Sequence, residues 1–132
     1  MSKEMRKKII LFIILVFTIS SAHDCNKRSQ SGKLKGKLVI MELCSNYVVQ
    51  VVDGEVDTSR LVNGWRDEKR KMVYDKVFTV ANRCDFPATD LKEGDEFEFM
   101  FDGNPAPQNC MVCMAYYPVP PKANSIKTLR SK

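Results

Sequence analysis

Only one of the 132 residues is histidine, His23, so everything C-terminal to it lacks an imidazole. Ser-His-Asp and Cys-His hydrolysis need that group inside the folded body, and neither has it here. The patterns GxxxxGK[ST], GxGxxG and HExxH are also missing. Phosphate-loop, dinucleotide and zincin chemistry therefore lack their signatures, and neither a catalytic role nor a cofactor is expected. No long helical period runs through the chain, and 44% hydrophobic with 28% charged residues is ordinary for a globular protein. Coiled-coil, collagen-like and wholly disordered architectures are disfavoured on those grounds.

A basic face on the body is also lacking, although the net charge is +5. Residues 1–22 have the order of an export signal: a basic start (Lys3, Arg6, Lys7, Lys8), an apolar run from Ile9 to Phe17, and small residues Ser20-Ser21-Ala22. The apolar run falls short of the roughly 20 residues needed to span a bilayer, so a signal peptide with cleavage before His23 is the expectation. Of the remainder, the lead-in at 23–36 and the tail at 122–132 are basic, whereas residues 39–120 hold eight Lys and Arg against fourteen Asp and Glu. An acidic body between basic ends is not the electrostatic footprint of a nucleic-acid module, and no nucleic acid is expected as partner.

Export places the five cysteines in an oxidising compartment, where disulfides persist. Five is odd, and Cys25 stands apart in the basic, Ser-rich lead-in as a candidate for lipid attachment. His23 and Asp24 precede it where small or apolar residues are wanted. Apart from the signal peptide, membrane contact is expected only through such an anchor. The other four, Cys44, Cys84, Cys110 and Cys113, are left to form two bridges.

The body, 37–121, reads as short strands parted by turns. Lys37 to Leu43 and Tyr47 to Val52 are the first two, the second stopped by Asp53-Gly54. Asp57-Thr58-Ser59 is placed to cap a single helical turn over Arg60 to Val62. Gly64 to Arg66 and Met72 to Tyr74 flank the charged turn Asp67 to Lys71 as a hairpin, and Val77 to Ala81 continues its third strand. In Glu96 to Phe101, Phe97, Phe99 and Phe101 alternate with Glu96, Glu98 and Met100, which predicts one core face and one wet face. Cys110 to Tyr117 is predicted as a long last strand ended by Pro118, Pro120 and Pro121. Ile126 to Leu129 is read as a basic tail or an edge strand. The expected fold is all-β, a small five- to six-stranded OB-like barrel, since a two-sheet sandwich usually needs more strands. The helix such barrels carry between strands three and four has no room in Asn82 to Asp90, which holds Pro87, so a sandwich-like or otherwise modified barrel is the alternative.

The runs Glu42-Leu43-Cys44-Ser45-Asn46-Tyr47, Val77-Phe78 to Asn82-Arg83-Cys84-Asp85-Phe86-Pro87, Leu91 to Phe99, and Cys110-Met111-Val112-Cys113-Met114-Ala115-Tyr116-Tyr117-Pro118 carry a resemblance. They look like small exported OB-like proteins of Bacteroidetes-type bacteria, often lipoproteins, which have no assigned activity. The resemblance implies the periplasm or outer membrane of a Gram-negative cell and supplies no catalytic residue. In an OB-like order Cys44 and Cys84 fall at one end of the sheet, where they could meet, and Cys110 at the other, where it would pair with Cys113 on condition that residues 110–113 form a turn; fully extended, their side chains point to opposite faces, and the connectivity stays open.

Two functional classes follow. The first is a non-enzymatic binding or envelope-associated module for a protein or saccharide, with Trp65, Tyr74, Tyr116 and Tyr117 as its binding face. The second is a periplasmic thiol-redox or copper-handling protein using Cys110 and Cys113, with Met111 and Met114 completing a soft cluster that favours monovalent copper. Against the second, nothing after Cys113 reads as a helix that would activate a thiolate. The carboxylates Glu96/Glu98 and Asp67/Glu68 read as solvated side chains on a wet face and a turn.

Overall fold

The computed structural model describes Lys3 to Met5, Lys7 and residues 32–129 other than Val112, Met114 and Ala115. Nearly all of the expected signal segment, with His23, Cys25 and the start of the lead-in, lies outside the described residues, as do Met114 and residues 130–132. Among the described residues no helix is long and apolar enough to cross a membrane.

Strands make up nearly all the regular structure of the described residues. β1 (Leu34–Glu42), β2 (Asn46–Asp53), β5 (Val77–Val80), β6 (Glu96–Phe101), β7 (Ala123–Asn124) and β8 (Ile126–Leu129) form one sheet in the order β7-β5-β2-β1-β6-β8. β3 (Trp65–Asp67) and β4 (Met72–Tyr74) form a separate hairpin. β7 pairs parallel with β5 while β8 pairs antiparallel with β6, so consecutive stretches of one segment, joined at Ser125, occupy both ends of the strand order. The sheet is therefore curled and barrel-like. At the Ser125 break the side chain of buried Asn82 substitutes for a strand: its Nδ2 donates to the Ile126 carbonyl at 2.7 Å and its Oδ1 accepts from the Ile126 N–H at 2.9 Å.

Alternation fills the inside of the curl. Leu34 and Leu38 of β1, Tyr47, Val49 and Val51 of β2, and Phe78 and Val80 of β5 meet Phe99 and Ile126 in the main core. Phe97 and Phe101 pack against it, so the three phenylalanines of β6 share the face their spacing predicts. Gly36 sits where β1 crosses this core. A Cβ there would lie 2.7 Å from Val49 Cγ1 and 2.8 Å from Phe99, so only glycine permits the approach. A register shift between Leu38 and Ile40 then sends Ile40 to the opposite face. On that outer face Ile40, Val48 and Val77 form a second, smaller core.

Three expectations are corrected. The hairpin does not run on into the third barrel strand, because Lys76 takes a left-handed conformation (φ 55°) that turns the chain out of β4 and into β5 of the other sheet. Among the described residues of 110–117, none is in a strand. Met111 and Tyr116 are 98% and 90% exposed, and the cysteines beside them are bridged to two different turns, which draws this stretch off a straight ladder. The place beside β5 belongs instead to β7, and the barrel-like sheet extends from Leu34 to Leu129, wider than 37–121. The edge-strand reading of Ile126 to Leu129 matches β8. The single helical turn is present two residues earlier than expected, at Thr58–Arg60, with Asp57 Oδ1 accepting from the Ser59 N–H at 2.9 Å.

Candidate functional site

Among the described residues a groove of about 440 Å³ lies along one side of the barrel-like sheet. Its floor is apolar: Phe97 of β6, Leu129 of β8, and Pro87 and Leu91 of the linker that enters β6. Its rim is polar and comes from three strands and the same linker, with Lys35 of β1, Glu96 and Glu98 of β6, Thr128 of β8 and Asp90. The strands explain the rim. β1 and β6 run antiparallel with Lys35 opposite Glu98 and Lys37 opposite Glu96, so the wet faces of both strands set lysines beside glutamates. Lys35 pairs with Glu96, and Lys33 Nζ lies 2.8 Å from Glu98 Oε2. The hydrogen bond and charge of Glu96 raise the Lys35 pKa, and the same contacts lower that of Glu96. Glu96 and Glu98 are thus on the wet face that alternation predicts. The groove itself was not legible in the sequence, because its floor joins residues from three separated stretches.

The expected aromatic face divides. Trp65 and Tyr74, opposite each other in the β3/β4 hairpin, stack with ring centroids 6.0 Å apart. Together with Tyr117 they pack over Ile40, Val48 and Val77. The hairpin and the Tyr117 to Pro120 stretch therefore turn these rings onto the outer face of the chain's own sheet. Tyr116 is exposed and apart from that cluster.

Beneath the same cover lies a charge network whose centre departs from expectation. Asp67, read as a solvated turn carboxylate, is 1% exposed. It accepts from the Tyr117 hydroxyl at 2.9 and 3.1 Å, from the Lys69 N–H at 2.9 Å, and from Arg70 Nη1 at 3.2 Å. Arg70 reaches onward to Glu93 at 2.6 Å and Glu42 at 3.0 Å. Burial acts to raise the Asp67 pKa, but these hydrogen bonds outweigh it and the carboxyl lies below its ordinary range. Burial, with the bond to Asp67, pushes Tyr117 up to about 12. Burial likewise raises Tyr74. Among the described residues every buried side-chain nitrogen and oxygen has a partner, so this network is a clamp joining β1, the hairpin, the β6 linker and Tyr117. An Asp opening a turn before Lys69 and Arg70, able to accept its own turn's N–H groups, was the one signal for it in the sequence.

The cysteines pair differently from expectation. Cys44 is bridged to Cys113, with Cα atoms 5.0 Å apart, and Cys84 to Cys110, with Cα atoms 5.5 Å apart. Cys110 and Cys113 therefore do not bond to each other, and neither is a free thiol. The expected pairing took residues 110–117 as a strand beside β5. With β7 in that place, the described residues of the stretch form a strap, tied to the β1/β2 turn through Cys44 and to the turn after β5 through Cys84, with Tyr117 on the outer face. Gln108 reinforces the second tie, accepting from the Cys84 N–H at 2.8 Å and donating to Asp85 at 2.9 Å. Among the described residues no group of three or more His, Cys, Asp or Glu side chains is placed to hold a metal. Cyanogen bromide cleavage after Met111 separates Cys110 from Cys113 and so distinguishes the pairings. We expect the fragment Glu42–Met72 linked to the one carrying Cys113, and Val73–Met100 linked to Phe101–Met111, by mass spectrometry without reduction. A link between Glu42–Met72 and Val73–Met100 would restore the original pairing.

Comparison of the chain with protein-family models, curated proteins and solved structures finds no match.

Proposed function

We propose that this chain is an exported, non-enzymatic binding module of the Gram-negative envelope, in the periplasm or at the outer membrane, and that its ligand enters the groove beside β6. The observation that carries the reading is the groove: its volume falls within the range of about 300–1,000 Å³ usual for ligand sites, and it sets an apolar floor within a polar rim. Two disulfides, which persist in oxidising compartments, support export. The last segment running parallel to β5 and antiparallel to β6 supports an OB-like barrel. The redox and copper reading loses its thiol pair, since each sulfur is bridged to a different partner.

A fragment screen by NMR on isotope-labelled protein tests the assignment. Hits are expected to shift the amides of residues 88–91, 96–98 and 128–129, and Thr128→Arg, which fills the groove with a long side chain, is expected to abolish those shifts. Hits that converge on the Trp65/Tyr74 hairpin, unaffected by Thr128→Arg, would move the site to the hairpin.

A further inference from the structure

We infer that the groove takes a neutral saccharide, an inference that rests on the groove being the ligand site. Of the rim charges, Lys35, Glu96 and Glu98 are already in ion pairs and Asp90 is not. Lys35 is bound to Glu96 and Lys33 to Glu98, so at these groups a charged ligand competes with a partner already in place. What the rim keeps in excess is hydrogen-bonding capacity. A carboxylate accepts at about four lone-pair sites and an ammonium donates three N–H bonds, so each ion pair leaves both members unsaturated. Exposed Asp90 and the Thr128 hydroxyl add further acceptors and a donor. A ligand whose groups both donate and accept fits this mixture, and a sugar hydroxyl does both.

The floor makes the complementary demand. Phe97 is half-buried and packed against Phe86 and Phe99 at centroid distances of 5.8 and 5.9 Å, which fixes the ring in the groove's lining. A pyranose has an apolar C–H face that packs on such a surface while its equatorial hydroxyls reach a surrounding rim. A phosphate backbone would instead meet Asp90, Glu96 and Glu98, and nucleic acid is disfavoured. A peptide lacks the ring of hydroxyls that would use donors and acceptors together.

The test titrates the intact, oxidised protein with cellohexaose, maltohexaose, mannohexaose, hexalysine and hexaglutamate, following the groove amides by NMR. At least one saccharide is expected to shift residues 88–91 and 96–98, with saturation below about 10 mM. Its affinity should stay within about twofold between roughly 0.05 and 0.5 M salt, because no net charge is exchanged. Asp90→Ala, at an exposed position, is expected to weaken it about fivefold, the equivalent of one hydrogen bond. Phe97→Leu, which keeps apolar bulk but removes the ring, should weaken it by a similar factor while the remaining spectrum stays folded. Binding of hexalysine or hexaglutamate alone, with affinity falling steeply in salt, would leave the groove as a site and overturn the saccharide. Absence of groove shifts with all five probes and with the fragment hits would overturn both.

Discussion

Replacing Cys44 and Cys113 together by serine is expected to lower the unfolding free energy by about 4 kcal/mol, and replacing Cys84 and Cys110 by about 3.5 kcal/mol. The order follows from the loops the bridges close, with sequence separations of 69 and 26. A longer loop has more freedom in the unfolded chain, and the bridge removes more of it. Either loss is a large part of the roughly 5–15 kcal/mol that holds a small domain folded. The two variants should also differ in where they loosen. Without Cys44–Cys113 the strap is free at the β1/β2 turn, next to the Ile40, Val48 and Val77 cluster that Tyr117 and Val119 cover. Trp65, the single tryptophan, packs on that cluster and reports its opening. Urea unfolding followed by Trp65 fluorescence gives both stabilities. Equal stability of the two variants and wild type would mean the bridges do not constrain the unfolded chain as their separations require.

Asp67→Ala is expected to cost about 3 kcal/mol, the lower end for breaking a buried ion pair, because Arg70 keeps Glu42 and Glu93 as partners. The pH profile identifies the mechanism. Asp67 has a folded pKa below its unfolded value of about 3.9. Its stabilisation is therefore complete above that value and is lost as pH falls through the folded one. Asp67→Asn should flatten the acid limb of the stability curve below about pH 4. Tyr117 acts at the other end. Folded, it holds its proton up to about 12, while the unfolded chain releases it near the ordinary tyrosine value of about 10. Its contribution is complete below about pH 10 and declines as pH rises toward 12, and Tyr117→Phe should remove that decline. An Asp67→Ala cost under about 1 kcal/mol, or an acid limb unchanged in Asp67→Asn, would show that the clamp carries little of the fold's stability.

Elements whose signal is local are the ones read correctly in advance. β6 is recognised because Phe97, Phe99 and Phe101 recur at period two, and β1 and β2 because apolar runs stop at Cys44-Ser45-Asn46 and Asp53-Gly54. The β3/β4 hairpin follows from a charged turn between short apolar pairs. Residues 110–117 mislead because Met111, Tyr116 and Tyr117 resemble strand content. Whether they lie flat on a sheet depends on where Cys110 and Cys113 are tied, and those ties are to turns 26 and 69 residues away in sequence. Conversely, the short stretch Ala123 to Leu129 has little apolar content of its own and becomes β7 and β8 because β5 and β6 each offer it an open edge.

Composition, periodicity and turn chemistry by themselves determined an all-β chain with an aromatic core face and four cysteines available for two bridges. These follow from side chains a few residues apart, where sterics and polarity act without knowledge of the rest of the fold. The tertiary structure alone decided which cysteines meet, that Asp67 is buried, that Trp65 and Tyr74 face inward, and that Lys35, Asp90, Phe97 and Leu129 share a groove. Each of those pairs or groups is assembled across long sequence separations, and its geometry is set by strand order and register, which local sequence does not specify.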